Sequence, residues 1–251
     1  MTEVLLAARG VVKSYGNSPA LRGVTIDVGE GEIVAVTGPS GCGKSTLLYC
    51  LSGIMRPDAG EISYRGARLD TRRESERSAL RRGDFGVLFQ FGQLVAELPA
   101  VDNVALPLLL RGTRRREARS AAMVWLDRLG VADVARDLPG EMSGGQAQRV
   151  ALGRALVTEP HVLFADEPTG ALDTLTGEAV LGHIVRVVRE QGTAVVLVTH
   201  EATVAAHADR EVALRDGMLD PTGLGFPMAS PAAVGAGPAA AGPRHARTSG
   251  R

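Results

Sequence analysis

Residues 38–46 read Gly38-Pro39-Ser40-Gly41-Cys42-Gly43-Lys44-Ser45-Thr46 and satisfy the phosphate-loop template GxxxxGK[ST] at every specified position. Nothing else in the chain restricts its fold so strongly, because the template works only between a strand and a helix. Both flanks comply. Ile33-Val34-Ala35-Val36 is a β-branched apolar run that reads as a buried strand, and Leu47-Leu48-Tyr49-Cys50-Leu51 reads as a helix. Glycines let the backbone fold tightly so that successive N–H groups face an anion, and the helix adds its positive N-terminal end. Lys44 is then expected at the β- and γ-phosphates of a nucleotide, and the Ser45 hydroxyl at Mg²⁺. The plain alternative, a glycine-rich turn with a stray lysine, does not account for the two flanks.

A phosphate loop alone says only that a nucleotide binds; the second half of the chain says more. Glu141-Met142-Ser143-Gly144-Gly145-Gln146-Ala147-Gln148-Arg149 places two glycines at the head of a helical stretch. His161-Val162-Leu163-Phe164-Ala165-Asp166-Glu167-Pro168 is an apolar strand ending in two carboxylates, with Ala171-Leu172-Asp173 just after it. Val195-Val196-Leu197-Val198-Thr199-His200 is a second buried strand that ends on a histidine. Gln90 follows the short strand Gly86-Val87-Leu88-Phe89, and Tyr15 stands in Val12-Lys13-Ser14-Tyr15-Gly16. Taken in order from Tyr15 to His200, these segments resemble the ATP-binding cassette (ABC) ATPases over about residues 3–220.

The resemblance implies a role for each position. Tyr15 would stack on adenine, and residues 38–46 would hold the phosphates. Ser45, Gln90 and Asp166 would stand at Mg²⁺, with Asp166 acting through water. Glu167 would polarise the attacking water, with His200 and Lys44 at the γ-phosphate. Ser143, Gly144, Gly145 and Gln146 match the signature motif, which in this family covers the nucleotide of a second subunit in a head-to-tail dimer; Asp173 lies in the matching D-loop. Residue by residue, blander readings exist: Asp-Glu-Pro as a helix cap with an early proline, His200 as a core histidine, Ser143 as a mere helix cap. His161, His183, His207 and His245 have no such setting and read as structural or exposed.

The layout fits the α/β class expected of such a chain, a P-loop NTPase with a RecA-like core, an antiparallel β subdomain and an inserted helical subdomain. Residues 3–30 alternate apolar and polar positions and suggest a small antiparallel sheet, which Glu61-Ile62-Ser63-Tyr64 would join. Residues 70–83 are charged and helical in pattern. From about 94 to 158 helical periodicity dominates, notably from Arg115 to Leu129, where Trp125 reads as core. After Val162 strands alternate with helices, the rhythm of a parallel sheet. Residues 221–251 are rich in Pro, Ala and Gly and read as a disordered tail beyond the 3–220 ATPase domain.

Composition removes other classes. Twenty-eight basic residues balance twenty-eight acidic ones, for a formal net charge of zero. That balance argues against a nucleic-acid binder that relies on a basic surface. No apolar run approaches the roughly 20 residues needed to cross a bilayer, and Met1-Thr2-Glu3-Val4 has no basic leader. Cys42 and Cys50 fit a reducing cytosol rather than a disulfide framework. Composition thus points to the cytoplasm, and the resemblance implies a place on the inner face of the cell membrane, beside a permease.

Within the resembling family, Phe85-Gly86-Val87-Leu88-Phe89-Gln90, Asp102-Asn103-Val104-Ala105-Leu106-Pro107-Leu108 and Phe164 to Asp173 are closest to one subfamily. It contains macrolide exporters, lipoprotein-release ATPases, bacitracin-resistance pumps and the bacterial cell-division ATPase. The resemblance implies an ATPase subunit, in a homodimer, that drives a separate integral membrane permease with an extracytoplasmic domain. The alternative within the subfamily is a regulatory ATPase of the cell-division kind, acting through its permease on cell-wall hydrolysis. A soluble relative acting on ribosomes or DNA would need two cassettes, zinc modules or coiled coils, and none is present. Residues 91–108 are expected to line the permease-docking groove, with Phe91, Leu94, Val95 and Leu98 as its apolar cluster.

Overall fold

The computed structural model describes residues 3–90, 92–170 and 172–220. The 221–251 tail, His245, Phe91 and Ala171 lie outside the described residues.

Two long strands open the chain, β1 (Val4–Tyr15) and β2 (Ser18–Gly29), followed by β3 (Ile33–Thr37) and helix α1 (Lys44–Leu51). Then come β4 (Ala59–Tyr64), β5 (Ala67–Arg68), α2 (Glu74–Arg82) and β6 (Phe85–Leu88). Three helices follow, α3 (Ala100–Leu110), α4 (Arg115–Arg128) and α5 (Gly144–Leu156). The chain returns through β7 (Val162–Asp166), α6 (Thr174–Gln191), β8 (Ala194–Val198), α7 (Ala202–Ala205), β9 (Arg210–Arg215) and β10 (Met218–Leu219).

The strands form two sheets. One is four-stranded and antiparallel in the order β2-β1-β4-β5. The other runs β10-β9-β3-β8-β7-β6 and is parallel from β9 to β6, with β10 closing the edge as an antiparallel hairpin. Strands buried on both faces read as near-continuous apolar runs, as β8 does throughout and β3 and β7 do up to their last residues, Thr37 and Asp166. Their alternation divides the interior in two. Ile33, Ala35, Leu163, Ala165, Val195 and Leu197 face a core with Trp125, Leu126, Leu152 and Ile184 from the helices. Val34, Val36, Val162, Phe164, Val196 and Val198 face a second core with Leu47, Leu48 and Leu51 of α1 and with Leu6 and Ile26 of the antiparallel sheet. Trp125 is 4 % exposed, the core position its spacing predicts.

This arrangement positions the chemistry. In the parallel sheet β8 lies between β3 and β7, so the loop after β3, the carboxylates ending β7 and His200 after β8 emerge at the carboxyl edge. Ligands of open α/β sheets bind at that edge. The segment ahead of α3 is held by buried Asn103. Its Oδ1 accepts from Val95 N at 2.8 Å, and its Nδ2 donates to Val95 O at 3.0 Å and Leu98 O at 2.7 Å. Leu94 turns inward and packs against the helical core.

Candidate nucleotide site

Two glycines of the phosphate loop are dictated by space. At Gly43 φ is +109°, and an added Cβ would stand 2.4 Å from the Ala20 carbonyl oxygen; at Gly38 it would stand 2.2 Å from that of Leu214. Only glycine passes both points. The loop thereby folds back on the first turn of α1, where the Lys44 ammonium donates to the carbonyls of Gly38 at 2.8 Å and Pro39 at 3.0 Å. Lys44 is 5 % exposed, so its charge is aimed into the loop. Cys42 is buried beneath the loop as a free thiol.

A cleft of about 510 Å³ opens over this loop, lined by Tyr15, Pro19, Ser40, Gly41, Gly43, Lys44, Ser45, Thr46, Gln90 and Glu167 among others. The phosphate loop, Tyr15, Gln90 and Glu167, dispersed over 150 positions of sequence, thus share one concavity. Tyr15 stands at its outer end, half exposed, with its hydroxyl 3.3 Å from Met55 Sδ.

Glu167 has the most constrained geometry of the site. Its backbone sits at φ +44°, a left-handed conformation that is uncommon outside glycine and concentrates at functional positions. Its side chain is held at both oxygens. Gln90 Nε2 donates to Oε2 at 2.9 Å, and His200 Nδ1 lies 3.1 Å from Oε1. A carboxylate gripped in this way beside phosphate-binding amides is suited to orienting a water molecule.

Asp166 is 5 % exposed. The Ser45 hydroxyl donates to its Oδ1 at 3.0 Å and the Tyr49 hydroxyl to its Oδ2 at 3.1 Å. Burial pushes the Asp166 carboxyl above the ordinary carboxylate range, while these two hydrogen bonds pull it back. Burial and the Asp166 charge push Tyr49 up to about 12, so its hydroxyl remains a donor. A hydroxyl and a carboxylate beside phosphate-binding amides form an oxygen-only donor set that suits Mg²⁺, which takes one or two carboxylates and draws other ligands from phosphates and water. Among the described residues no cluster of three or more His, Cys, Asp or Glu could hold a metal alone, and a nucleotide-borne Mg²⁺ needs none. Gln90 is seen bonded to Glu167 and not to Ser45 or Asp166.

The signature residues lie elsewhere. Ser143 caps α5, its hydroxyl accepting from Gln146 N at 3.2 Å while Gln146 Oε1 accepts from Ser143 N at 2.8 Å, the reciprocal box that fixes a helix start. A Cβ at Gly144 would touch Leu172, and one at Gly145 would collide with Thr176. The turn therefore packs beside Asp173, which accepts from Thr176 N and caps α6. The Thr176 hydrogen bond also holds the Asp173 carboxyl below its usual range. Ser143, Gly144 and Asp173 are not brought to the phosphate loop within one chain. Their caps are real, and they leave the N-terminus of α5 at an exposed surface.

Two side chains of the site were missed in the sequence. Tyr49 stands four residues after Ser45 on one helix face, but its place in an apolar run reads as core. Arg154 donates to the carbonyls of Gly92 at 2.6 Å and Gln93 at 2.8 Å and braces the backbone after Gln90; burial lowers its pKa. No local pattern marks it.

A second cleft, of about 390 Å³, takes in Phe89 and Gln93, which flank Gln90 in sequence. Its walls include Ile54, Arg81, Phe85, Val87, Phe89, Gln93, Pro107, Arg154 and Thr158. Among the described residues of 92–108, Gln93 and Pro107 reach it, and Leu94 packs against the core instead. The aromatic wall comes from β6 because that strand is at the sheet edge.

Comparison with known proteins places this geometry among relatives. A family model described as ABC transporter matches residues 21–170. The lipoprotein-releasing system ATP-binding protein LolD 2 of Caulobacter vibrioides is 44% identical over 224 residues, 88% of this chain and 98% of that protein. LolD of Bordetella pertussis is 44% identical over 220 residues, 86% of this chain and 95% of its own. A solved dimer of the ATP-binding cassette MJ0796, in a post-hydrolysis state with ADP and Pi, superposes with a TM-score of 0.81 at 35% identity, covering 86% of this chain and 97% of that one.

Proposed function

The chain belongs to the ABC transporter family and is an ATPase, and from that premise we propose that it is the nucleotide-binding subunit driving a separate integral membrane permease. One observation carries this reading. Gln90 lines the nucleotide cleft with its amide on Glu167, and its chain neighbour Phe89 is in the wall of the second cleft. Anything seated in the second cleft would bear on the segment that holds the catalytic carboxylate. An ATPase acting alone has no use for such a link.

In this reading ATP binds with its base on Tyr15 and its phosphates in residues 38–46. Ser45 and Asp166 hold Mg²⁺, and Gln90 can join through its amide oxygen. Bound there, the ion offsets charge on the β- and γ-phosphates. Lys44 adds its charge, Glu167 orients and deprotonates the attacking water, and His200 keeps Glu167 in place. Ser143, Gly144 and Gly145 close over the nucleotide of a second copy, because an open helix N-terminus with glycine amides is an anion site that its own chain leaves unused. ATP then favours the closed pair and hydrolysis reopens it.

Among the described residues no helix is long and apolar enough to cross a membrane, so the permease would hold the subunit at the cytoplasmic face. The names of the LolD relatives favour release of lipid-anchored proteins as the work performed and weigh against the cell-division alternative. The test is reconstitution with the permease in proteoliposomes carrying an acylated protein. ATP should release that protein, and turnover should rise on assembly. Stimulated turnover without release would remove the lipoprotein assignment, and unstimulated turnover would remove the permease.

A further inference from the structure

Asp166 is a buried carboxylate with two oxygens in different company. Oδ1 faces the Ser45 hydroxyl at 3.0 Å, and Ser45 is a residue the magnesium reading needs. Oδ2 faces Tyr49, at 3.1 Å. Tyr49 is itself fixed, its ring 6.3 Å from that of Phe89 between centroids and tilted by 56°. It also packs against the core beneath the phosphate loop. A carboxylate free to turn would present its oxygens to a metal at varying angles. With one oxygen tied to the phenol, turning the plane would break a hydrogen bond at a group that is only 5 % exposed.

We propose that Tyr49 is a positioning residue for Asp166: its hydroxyl holds one carboxylate oxygen and so fixes the plane of the group, with the other oxygen presented beside Ser45 to the magnesium of a bound nucleotide. Partners that orient a metal ligand in this way commonly alter metal affinity by about 10–100-fold when removed. Tyr49→Phe keeps the ring and its contact with Phe89 and removes only the donor.

The inference rests on Ser45 and Asp166 being the magnesium residues, and the experiment separates the two ideas. Manganese is titrated as a paramagnetic substitute for magnesium into the full chain with ATP, and bound ion is read by electron paramagnetic resonance. ATP affinity without metal is measured in parallel by calorimetry. Tyr49→Phe should weaken manganese binding by about tenfold and leave metal-free ATP affinity unchanged. It should also raise the magnesium concentration for half-maximal turnover. Unchanged manganese affinity in Tyr49→Phe, alongside a loss in Asp166→Asn, overturns the role of Tyr49 alone. Unchanged affinity in Asp166→Asn overturns the magnesium assignment and the inference together. An equal fall in metal-free ATP affinity in Tyr49→Phe means that the phosphate loop has moved, and this too overturns the proposal.

Discussion

Glu167 is held by its backbone as much as by its neighbours. Its φ of +44° costs free energy that the surrounding structure must supply, and Gln90 and His200 then set the carboxylate orientation. Glu167→Gln preserves shape but removes the proposed base. Turnover should fall by about 10²–10⁴-fold, while calorimetry should find ATP affinity close to that of the parent. Turnover within a few-fold of the parent would move the base to another group. At this scale much was legible. Glu167, Lys44, Ser45 and Gln90 stand in motifs whose order is as informative as their composition. The grip of Gln90 and His200 on Glu167 was not, because it joins residues 77 and 33 positions apart and depends on the strand order of the sheet. Tyr49 was hidden for a different reason. In an apolar helical run its ring reads as core, and only the position of β7 shows that its hydroxyl meets a carboxylate.

The elements that carry these residues were readable wherever periodicity was strong, and less so where a single side chain does the organising. Strands β3, β7 and β8 announce themselves as apolar runs buried on both faces. Helix α4 follows from Ala118, Ala122, Trp125 and Leu126, all buried. The stretch ahead of α3 has no period. Its shape comes from Asn103, fully buried at 0 % exposure, which satisfies one N–H and two carbonyls of residues 95 and 98. Sequence reading took Leu94 and Leu98 there as a docking surface because apolar residues after Gln90 look available. In the folded chain the Asn103 side chain draws that backbone inward, and Leu94 goes with it. Asn103→Ala removes the partner of Val95 N and of Leu98 O, while Val95 O keeps its bond from Leu98 N, so thermal or denaturant unfolding should report a loss of about 1–3 kcal/mol. Asn103→Asp, which keeps an acceptor for Val95 N but loses both donations, should also destabilise. A stability change below about 0.5 kcal/mol in both variants would show that water replaces the side chain there.

Two clefts share the stretch that carries Phe89, Gln90 and Gln93, one proposed to hold the nucleotide and the other proposed to receive the permease. The nucleotide cleft is polar and lies at the carboxyl edge of the parallel sheet. The second cleft is lined by Ile54, Phe85, Val87, Phe89 and Pro107, with the guanidinium groups of Arg81 and Arg154 among its walls. Arg154 ties the floor of this cleft to residues 92 and 93, immediately beyond Gln90. A membrane protein that inserts a helix here would feel the segment differently when Glu167 and Gln90 engage a nucleotide, and only such a difference between states can transmit work. Variants at the rim should therefore separate binding of the permease from chemistry. Ile54 is 37% exposed and, like Thr158, does not line the nucleotide cleft, so Ile54→Glu and Thr158→Arg should leave the basal ATPase of the isolated subunit within about twofold of the parent, as expected of surface changes away from the chemistry. In proteoliposomes with the permease the same variants should lose stimulation, because a charge placed in an apolar contact costs more than a rim contact returns. If both variants copurify with the permease and are stimulated like the parent, the permease docks elsewhere, and the link from Phe89 through Gln90 to Glu167 serves the nucleotide alone.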